Sequence, residues 1–292
     1  DANNKLESVI IPNSVDTIGY AAFYSCTRLK ALVLPDSVTD LQVKSRGSIL
    51  CLGCISLTSV VIGDGLATLP KNTFEGCTSL QNVTIGSAVT AIDSTAFSGC
   101  GAITTLNLRT PLVGNTYSAS STFLGKYFSA SASKVQHVTV GGGVTKIGNS
   151  AFYNSLSLES VTMESSVKSI GERAFNLCSS LFALEIGRSV TEIGLGAFYS
   201  CSSLVSTRIP HSVVILGYKA FMYCSALESL TIPDSVITLA TATTEGSRLC
   251  DGCTSLASVV IGDGLENIPQ KTFQGLVDKI LQEICQPSHL HL

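Results

Sequence analysis

The chain has 292 residues, a formal net charge of −3 and only 13% charged residues. A surface for nucleic acid or anionic membranes needs clustered lysine and arginine, which this composition does not supply, so we expect neither partner. The sequence holds no run of 18 apolar residues. It therefore predicts no transmembrane helix and no direct insertion into a membrane.

A 23-residue phrase returns eleven times along the chain. A period of this size is typical of a solenoid, because each unit is too small to bury its own apolar face and must stack on its neighbours. Asp1 falls partway through a repeat and is not an initiator methionine, so we expect a mature form or a fragment that lacks an upstream coil. The first apolar position of each repeat, the Leu slot, is held by Leu6, Leu29, Leu57, Leu80, Ile103, Val135, Leu158, Leu181, Leu204, Leu227 and Leu256.

Two more apolar positions follow three and five residues after the Leu slot, for example Val161 and Met163. Their alternation and their β-branched composition predict one short strand per repeat, and stacked repeats then form a parallel sheet. A turn follows each predicted strand, and in many repeats it begins with proline or glycine, as in Pro12–Val15 and Gly63–Leu66, both of which end a strand. Between strands, three repeats carry insertions near residues 41–50, 109–134 and 240–249.

An Ala-Phe pair and a cysteine three residues later complete the repeat, as in Ala174, Phe175 and Cys178. The alanine permits close packing and the phenylalanine fills the interior of the coil; we call these positions the Phe slot and the Cys slot. Their spacing predicts a short helix or 3₁₀ turn on the side opposite the sheet.

The complete phrase, Leu-x-x-Val-x-Ile-Pro-x-Ser-Val-x-x-Ile-Gly-x-x-Ala-Phe-x-x-Cys-x-x-Leu, closely resembles the BspA-like class of leucine-rich repeats over residues 1–275. The resemblance implies an α/β repeat fold: a right-handed leucine-rich-repeat solenoid of about 11 coils with one parallel β-sheet face. It also implies a surface or secreted protein that adheres to partners. It brings no catalytic residues and no cofactor.

Most of the eleven cysteines are explained by the repeat, because eight of them hold the Cys slot. Cys51 and Cys250 hold the Phe slot, and the two Cys-x-x-Cys pairs that they begin lie 199 residues apart, too far for one zinc site. We expect a ladder of free, buried thiols, and disulfides between adjacent coils are the alternative. No Ser/His/Asp or Cys/His arrangement stands outside the repeat, so the sequence predicts no enzyme and no metal site.

The insertion at 109–134 is the longest and is rich in aromatic residues, among them Tyr117, Phe123 and Tyr127. Two interpretations remain open: a structural plug, or an aromatic contact site for a partner. The repeat pattern puts Ser129 in the Phe slot and Ala132 in the Cys slot, which predicts poor packing in this coil. We expect Phe128 or Phe123 to swing inward and compensate.

Outward positions of the predicted sheet form a column of small residues between Ser8 and Ser258, and His137 stands in it. A second column, two residues further on, holds Glu185 and Arg208 among threonine and β-branched residues. Such a face suits contact with an extended protein surface, and we predict that His137, Glu185 and Arg208 meet the partner. Alternatively, small residues only relieve crowding on a curved sheet.

After residue 275 the period fails, and apolar residues at helical spacing predict an amphipathic capping helix over 276–286, within a cap and tail of 276–292. Ser59–Leu66 and Ser258–Leu265 are identical octapeptides, which indicates growth by duplication of a block. We predict a non-enzymatic interaction module, extracellular or at a cell surface, that binds a protein or a glycan through the sheet face and inserted loops. The alternative is a structural linker or scaffold subunit in a larger assembly, organellar and cytoplasmic assemblies included.

Overall fold

The computed structural model describes residues 5–242 and 244–274. It is a parallel β-sheet solenoid of about 10 turns with few helices. The chain divides into two compact units, residues 1–147 (unit 1) and 148–292 (unit 2). The right hand of the solenoid and its extent over 1–275 stay predictions, and the predicted cap over 276–286 lies outside the described residues.

In unit 1, five of the six predicted strands form a parallel sheet in which each strand pairs with its neighbours along the chain, whereas the first, predicted around Val9 and Ile11, does not form among the described residues. Equivalent slots face each other, as Leu32 faces Val60 and Val60 faces Val83, so the interior column continues from coil to coil. The long strands are β2 Ala31–Leu34, β4 Ser59–Ile62, β6 Asn82–Ile85, β8 Thr105–Leu108 and β9 His137–Val140. They pair in the order β9-β8-β6-β4-β2.

Five of the six repeats in unit 1 form a short, two-residue strand in addition to the long strands of the sheet, so the prediction of one strand per repeat is wrong. The repeat with the long insertion carries the 3₁₀ segment Pro111–Gly114 and, within the described part of the chain, no such strand. The second residue of each short strand is buried and the first is exposed. Two residues are too few for a visible alternation in the sequence. The ranges are β1 Thr17–Ile18, β3 Asp40–Leu41, β5 Thr68–Leu69, β7 Ala91–Ile92 and β10 Lys146–Ile147, with parallel pairs β1–β3 and β5–β7.

Unit 2 also has long and short strands, but the sheet that its long strands form is interrupted. Its long strands are β11 Ser160–Met163, β13 Ala183–Glu185, β15 Ser206–Arg208, β17 Ser229–Ile232 and β19 Ser258–Ile261. β11 pairs with β13, and β15, β17 and β19 pair in order, but no ladder joins β13 to β15 in the described part of the unit. The short strands β12 Ser169–Ile170, β14 Glu192–Ile193, β16 Ile215–Leu216 and β18 Thr238–Leu239 pair without a break.

Phenylalanine rings stack inside the coils, as predicted. Phe175 is buried and lies between Phe152 and Phe198, with ring centroids 5.2 and 5.4 Å away and nearly parallel planes. The segment from the Phe slot to the Cys slot is a series of turns, so the predicted helix or 3₁₀ turn is wrong there. Leu177 and Ser200, one residue before the Cys slot, have positive φ values of 64° and 58°, which a right-handed helix does not admit.

The coil that contains the long insertion keeps the pattern by a shift of one residue. Phe128, and not Ser129, takes the Phe slot: its ring stacks on Phe97 at 4.9 Å. Ser131, and not Ala132, takes the Cys slot, because its backbone N–H donates to the Phe128 carbonyl at 2.9 Å, as other coils do at this point. The expected inward swing of Phe128 is confirmed, and the two slot assignments in this coil are corrected.

Candidate interaction surfaces

The insertion at 109–134 folds into a compact plug of unit 1. A 3₁₀ segment, Pro111–Gly114, is followed by the short helix α1, Phe123–Tyr127. The Thr122 hydroxyl caps α1 by accepting from the Gly125 N–H at 3.0 Å, which fixes where the helix begins. The side chains of Phe123 and Tyr127 are only 0% and 4% exposed. These two rings therefore fill the interior, and the structure corrects their assignment as partner contacts.

Tyr117 braces the same plug and is half-buried. Its hydroxyl donates to the Leu112 carbonyl at 2.6 Å, and its ring meets Phe123 edge-on with centroids 6.0 Å apart. Burial, with Tyr127 close by, raises the pKa of the Tyr117 hydroxyl above its ordinary value. The hydroxyl thus stays protonated and acts as a donor to the backbone.

The cysteine ladder is buried, and its thiols tie successive coils together. The Sγ of Cys178, Cys201 and Cys224 each lies 3.1–3.3 Å from the carbonyl oxygen of the Phe slot in the preceding coil. Burial raises the pKa of Cys178 to about 12 and raises the pKa values of Cys201 and Cys224 as well. The thiolate is the nucleophilic form of cysteine, so these thiols are poor nucleophiles and serve packing instead.

The other three predicted contact residues are exposed on long strands. His137 begins β9 in unit 1, whereas Glu185 and Arg208 end β13 and β15 in unit 2. Glu185 and Arg208 occupy the same slot of consecutive coils, and the structure brings them onto one face. We call the outward side of the long strands of unit 2 the long-strand face.

Sequence reasoning missed two exposed apolar residues that directly precede the strands β13 and β15 of this face. Phe182 and Val205, each directly after a Leu slot, are 53% and 43% exposed. The coils on either side carry glutamate at the same slot, Glu159 and Glu228. The departure from glutamate was visible in the sequence, but only a comparison of non-core slots between repeats finds it.

A family model for the BspA type leucine-rich repeat region matches residues 2–123 and 122–249. The chain belongs to this family. Among solved structures, it is similar to a leucine-rich repeat protein of T. pallidum (26% identity, 44% of this chain and 70% of the other, TM-score 0.39). It is also similar to a leucine-rich cell surface protein of Faecalibacterium prausnitzii (25% identity, 88% and 79%, TM-score 0.39). A third, from Bacteroides ovatus, shares 23% identity over 94% and 84% of the two chains, with a TM-score of 0.40. No curated protein sequence matches the chain.

The insertions at 41–50 and 240–249 of this leucine-rich repeat chain each make an equivalent buried hydrogen bond. Ser48 and Thr73 hydroxyls lie 2.8 Å apart in unit 1, and Ser247 and Thr272 hydroxyls lie 2.8 Å apart in unit 2. The two pairs are 199 residues apart, the same offset as the identical octapeptides. The shared bond supports the predicted duplication of a block of repeats.

Only the second of these insertions, at 240–249, carries a charged cluster. Glu245 accepts a hydrogen bond from the Tyr218 hydroxyl and lies 3.6 Å from Lys219 and 3.7 Å from Arg248. The Tyr218 hydrogen bond, followed by the charge of Arg248, lowers the pKa of the Glu245 carboxyl. The opposite charges satisfy each other, so this cluster orders the loop.

The described residues include no group of three or more His, Cys, Asp and Glu side chains that could hold a metal ion. Over 5–242 and 244–274, no helix combines the length and the apolar character that a membrane span requires.

Proposed function

We propose that this chain is a non-enzymatic interaction module that binds a protein partner through its long-strand face, with the inserted loops at the margin. The observation that carries the proposal is the composition of this face in unit 2. Ser206 and Ser229 are exposed and small, so a partner's backbone can approach closely, and Phe182, directly before β13, adds an exposed aromatic ring. Aromatic residues are enriched where proteins meet.

The proposal that the module is not an enzyme is supported by the way the reactive side chains are used. The thiols donate to carbonyl groups inside the coils, the phenylalanine rings stack, and Tyr117 holds the plug. A protein partner is favoured over a glycan because Phe182 and Val205 offer apolar area beside two charges. We place the module at a cell surface, in line with the implication of its repeat class.

The second candidate is a scaffold subunit that stays buried in an assembly. It is favoured by exposed apolar residues that do not belong to the long-strand face, namely Ile10 and Val33 in unit 1 and Ile268 in unit 2. If these residues are buried in the assembly, they are exposed in the isolated chain, which would then be prone to association. A stoichiometric complex that survives purification would support this candidate.

The test compares two arginine variants within one coil. Ser229→Arg places a large cation on β17 of the long-strand face, and Thr238→Arg places the same cation on β18, whose residue is equally exposed. Affinity capture from the native source, followed by mass spectrometry, should lose its specific protein with Ser229→Arg and keep it with Thr238→Arg. Equal capture by both variants would contradict the proposed face.

A further inference from the structure

Two consecutive coils of unit 2 depart from their neighbours at two exposed slots, and the second of them departs at an interior slot as well. Directly after the Leu slot, four consecutive coils read Glu, Phe, Val and Glu; at the end of the strand they read Thr, Glu, Arg and Thr. At the interior slot between them, the coil of β15 carries Thr207 where its neighbours carry leucine. The outer two coils agree with each other at these slots. Both inner coils differ from them at the exposed slots, and the coil of β15 also differs at the interior slot.

The long-strand sheet is interrupted between these same two coils. The Phe182 N–H donates to the Glu159 carbonyl at 3.1 Å, which links the coil of β13 to the coil before it. The Val205 carbonyl accepts from the Glu228 N–H at 2.9 Å, which links the coil of β15 to the coil after it. No ladder joins β13 and β15 among the residues described in unit 2. The Thr207 hydroxyl oxygen is buried at the interruption, without a hydrogen-bond partner in the described part of the chain.

Charge on this patch is also left unsatisfied by the chain itself. Glu185 and Arg208 are exposed in the same slot of consecutive coils, yet neither forms an ion pair with any described residue. Phe182 and Val205, the residues directly before these two strands, are 53% and 43% exposed. Two consecutive coils thus each present an apolar side chain and, three residues later, a charged one, which is complementary to a segment with apolar and oppositely charged side chains.

We infer that Phe182, Val205, Glu185 and Arg208 form a docking site for an extended peptide segment of the partner protein. The segment places an apolar side chain over Phe182 and Val205, a basic side chain against Glu185, and an acidic side chain against Arg208. Because the two charges sit on consecutive coils, a segment that runs along the stack meets them in a fixed order. This inference rests on the proposed function and names the chemistry of its partner.

Single substitutions that introduce the residue found at the same slot of the adjacent coils test the site without destabilising the fold. Phe182→Glu and Val205→Glu install the residue of the flanking coils, as Glu185→Thr and Arg208→Thr do at the other slot. The probe is a display library of random linear peptides, selected against the full chain. We expect enriched peptides that carry at least one apolar residue together with one basic and one acidic residue. Phe182→Glu should weaken their binding about tenfold or more, as loss of a central aromatic contact does.

Two further variants sharpen the result. Val33→Thr removes an exposed apolar residue from a long strand of unit 1 and should leave binding unchanged. Glu185→Arg combined with Arg208→Glu keeps the net charge, and it should select peptides in which the order of basic and acidic residues is reversed. Melting curves for each variant confirm that the fold is retained.

Each contrary outcome has a separate meaning. Enriched peptides that bind all four consensus variants as well as the original chain overturn this site but leave the interaction module standing on another surface. Selection of the same charge order by the swapped variant overturns the ionic part of the recognition. Failure to enrich any peptide overturns recognition of a linear segment, whereas the capture experiment with Ser229→Arg continues to decide the proposed function independently.

Discussion

The same eight residues occur in two places and are buried to different degrees. In Ser59–Leu66 of unit 1, Val60 and Ile62 are 1% and 0% exposed; in Ser258–Leu265 of unit 2, the equivalent Val259 and Ile261 are only half-buried. Ile62 has coils on both sides, since β4 pairs with both β2 and β6, whereas β19 pairs with β17 alone among the described strands. In a solenoid, the neighbouring coil and not the local sequence decides how much of a residue is buried.

The largest expected effect is the loss of a stacked ring in a central coil. Phe175→Ala should lower the free energy of unfolding by about 3–5 kcal/mol, because the cavity lies between two rings that cannot close it. Phe182→Ala, the same exchange seven residues later on an exposed side chain, is the matched control and should change it by less than about 0.5 kcal/mol. Chemical denaturation of both variants measures the difference. A loss under about 1 kcal/mol for Phe175→Ala would refute the interior stack.

The two octapeptides can be compared directly by one substitution in each. Ile62→Ala should cost about 2–5 kcal/mol, as for a fully buried aliphatic residue. Ile261→Ala should cost at least about 1 kcal/mol less, because its side chain already contacts water and the cavity is smaller. Local hydrogen exchange of each unit reports the two losses separately. Equal losses would mean that residues beyond 274 cover the last described coil as completely as β6 covers β4.

Alkaline pH should lower the stability of the fold, because the buried thiols of the cysteine ladder resist deprotonation. Burial raises the pKa of Cys178 to about 12 in the folded chain. The unfolded thiol titrates near about 8.5, so its stabilising contribution is complete below that pH and is lost between about 8.5 and 12. Above about pH 9, this thiol alone makes stability fall by about 1.4 kcal/mol per pH unit.

Cys178→Ser supplies the comparison for this pH dependence. Ser155 already holds the Cys slot one coil earlier, so a hydroxyl is compatible with the position. Unfolding free energies measured between neutral and alkaline pH should fall less steeply for the variant. Parallel slopes for the variant and the original chain would show that the Cys178 thiol is not buried in the way described.

The smallest expected effect is a gain. Thr207→Val exchanges a hydroxyl with a buried, unpartnered oxygen for a methyl group of the same shape, so it should stabilise unit 2 by about 1 kcal/mol. Thr231→Val, at an exposed slot of the next coil, should change stability by no more than about 0.5 kcal/mol. Thermal unfolding of the pair distinguishes them. A loss of stability in Thr207→Val would mean that the hydroxyl has an unrecognised structural role.

Much of the fold could be predicted because a repeat supplies many independent readings of one slot. The strand slots and the interior position of the phenylalanines follow from averaging over coils, and the gap that the average left at Ser129 pointed to the inward turn of Phe128. Features that occur in two residues or in one coil escaped that averaging. The strand Thr17–Ile18 is too short to show a period, and the shift that brings Ser131 into the Cys slot is a local choice of packing.

The candidate site was predictable only in part for the same reason. Glu185 and Arg208 stood out as charges in a column of small and β-branched residues. Phe182 and Val205 did not, because apolar residues are abundant in this chain and their exposure depends on the direction of one side chain next to the Leu slot. The plug rings Phe123 and Tyr127 show the converse: aromatic residues in an insertion drew attention, yet packing turned them inward.

The central claim is that the partner meets the long-strand face of unit 2, and photo-crosslinking tests it most directly. A benzoylphenylalanine in place of Ser206 on β15, and another in place of Ile215 on β16, probe the two sides of one coil, both exposed. The account predicts a crosslink to the captured partner from position 206 and none from position 215. A crosslink from position 215 with none from position 206 would contradict it.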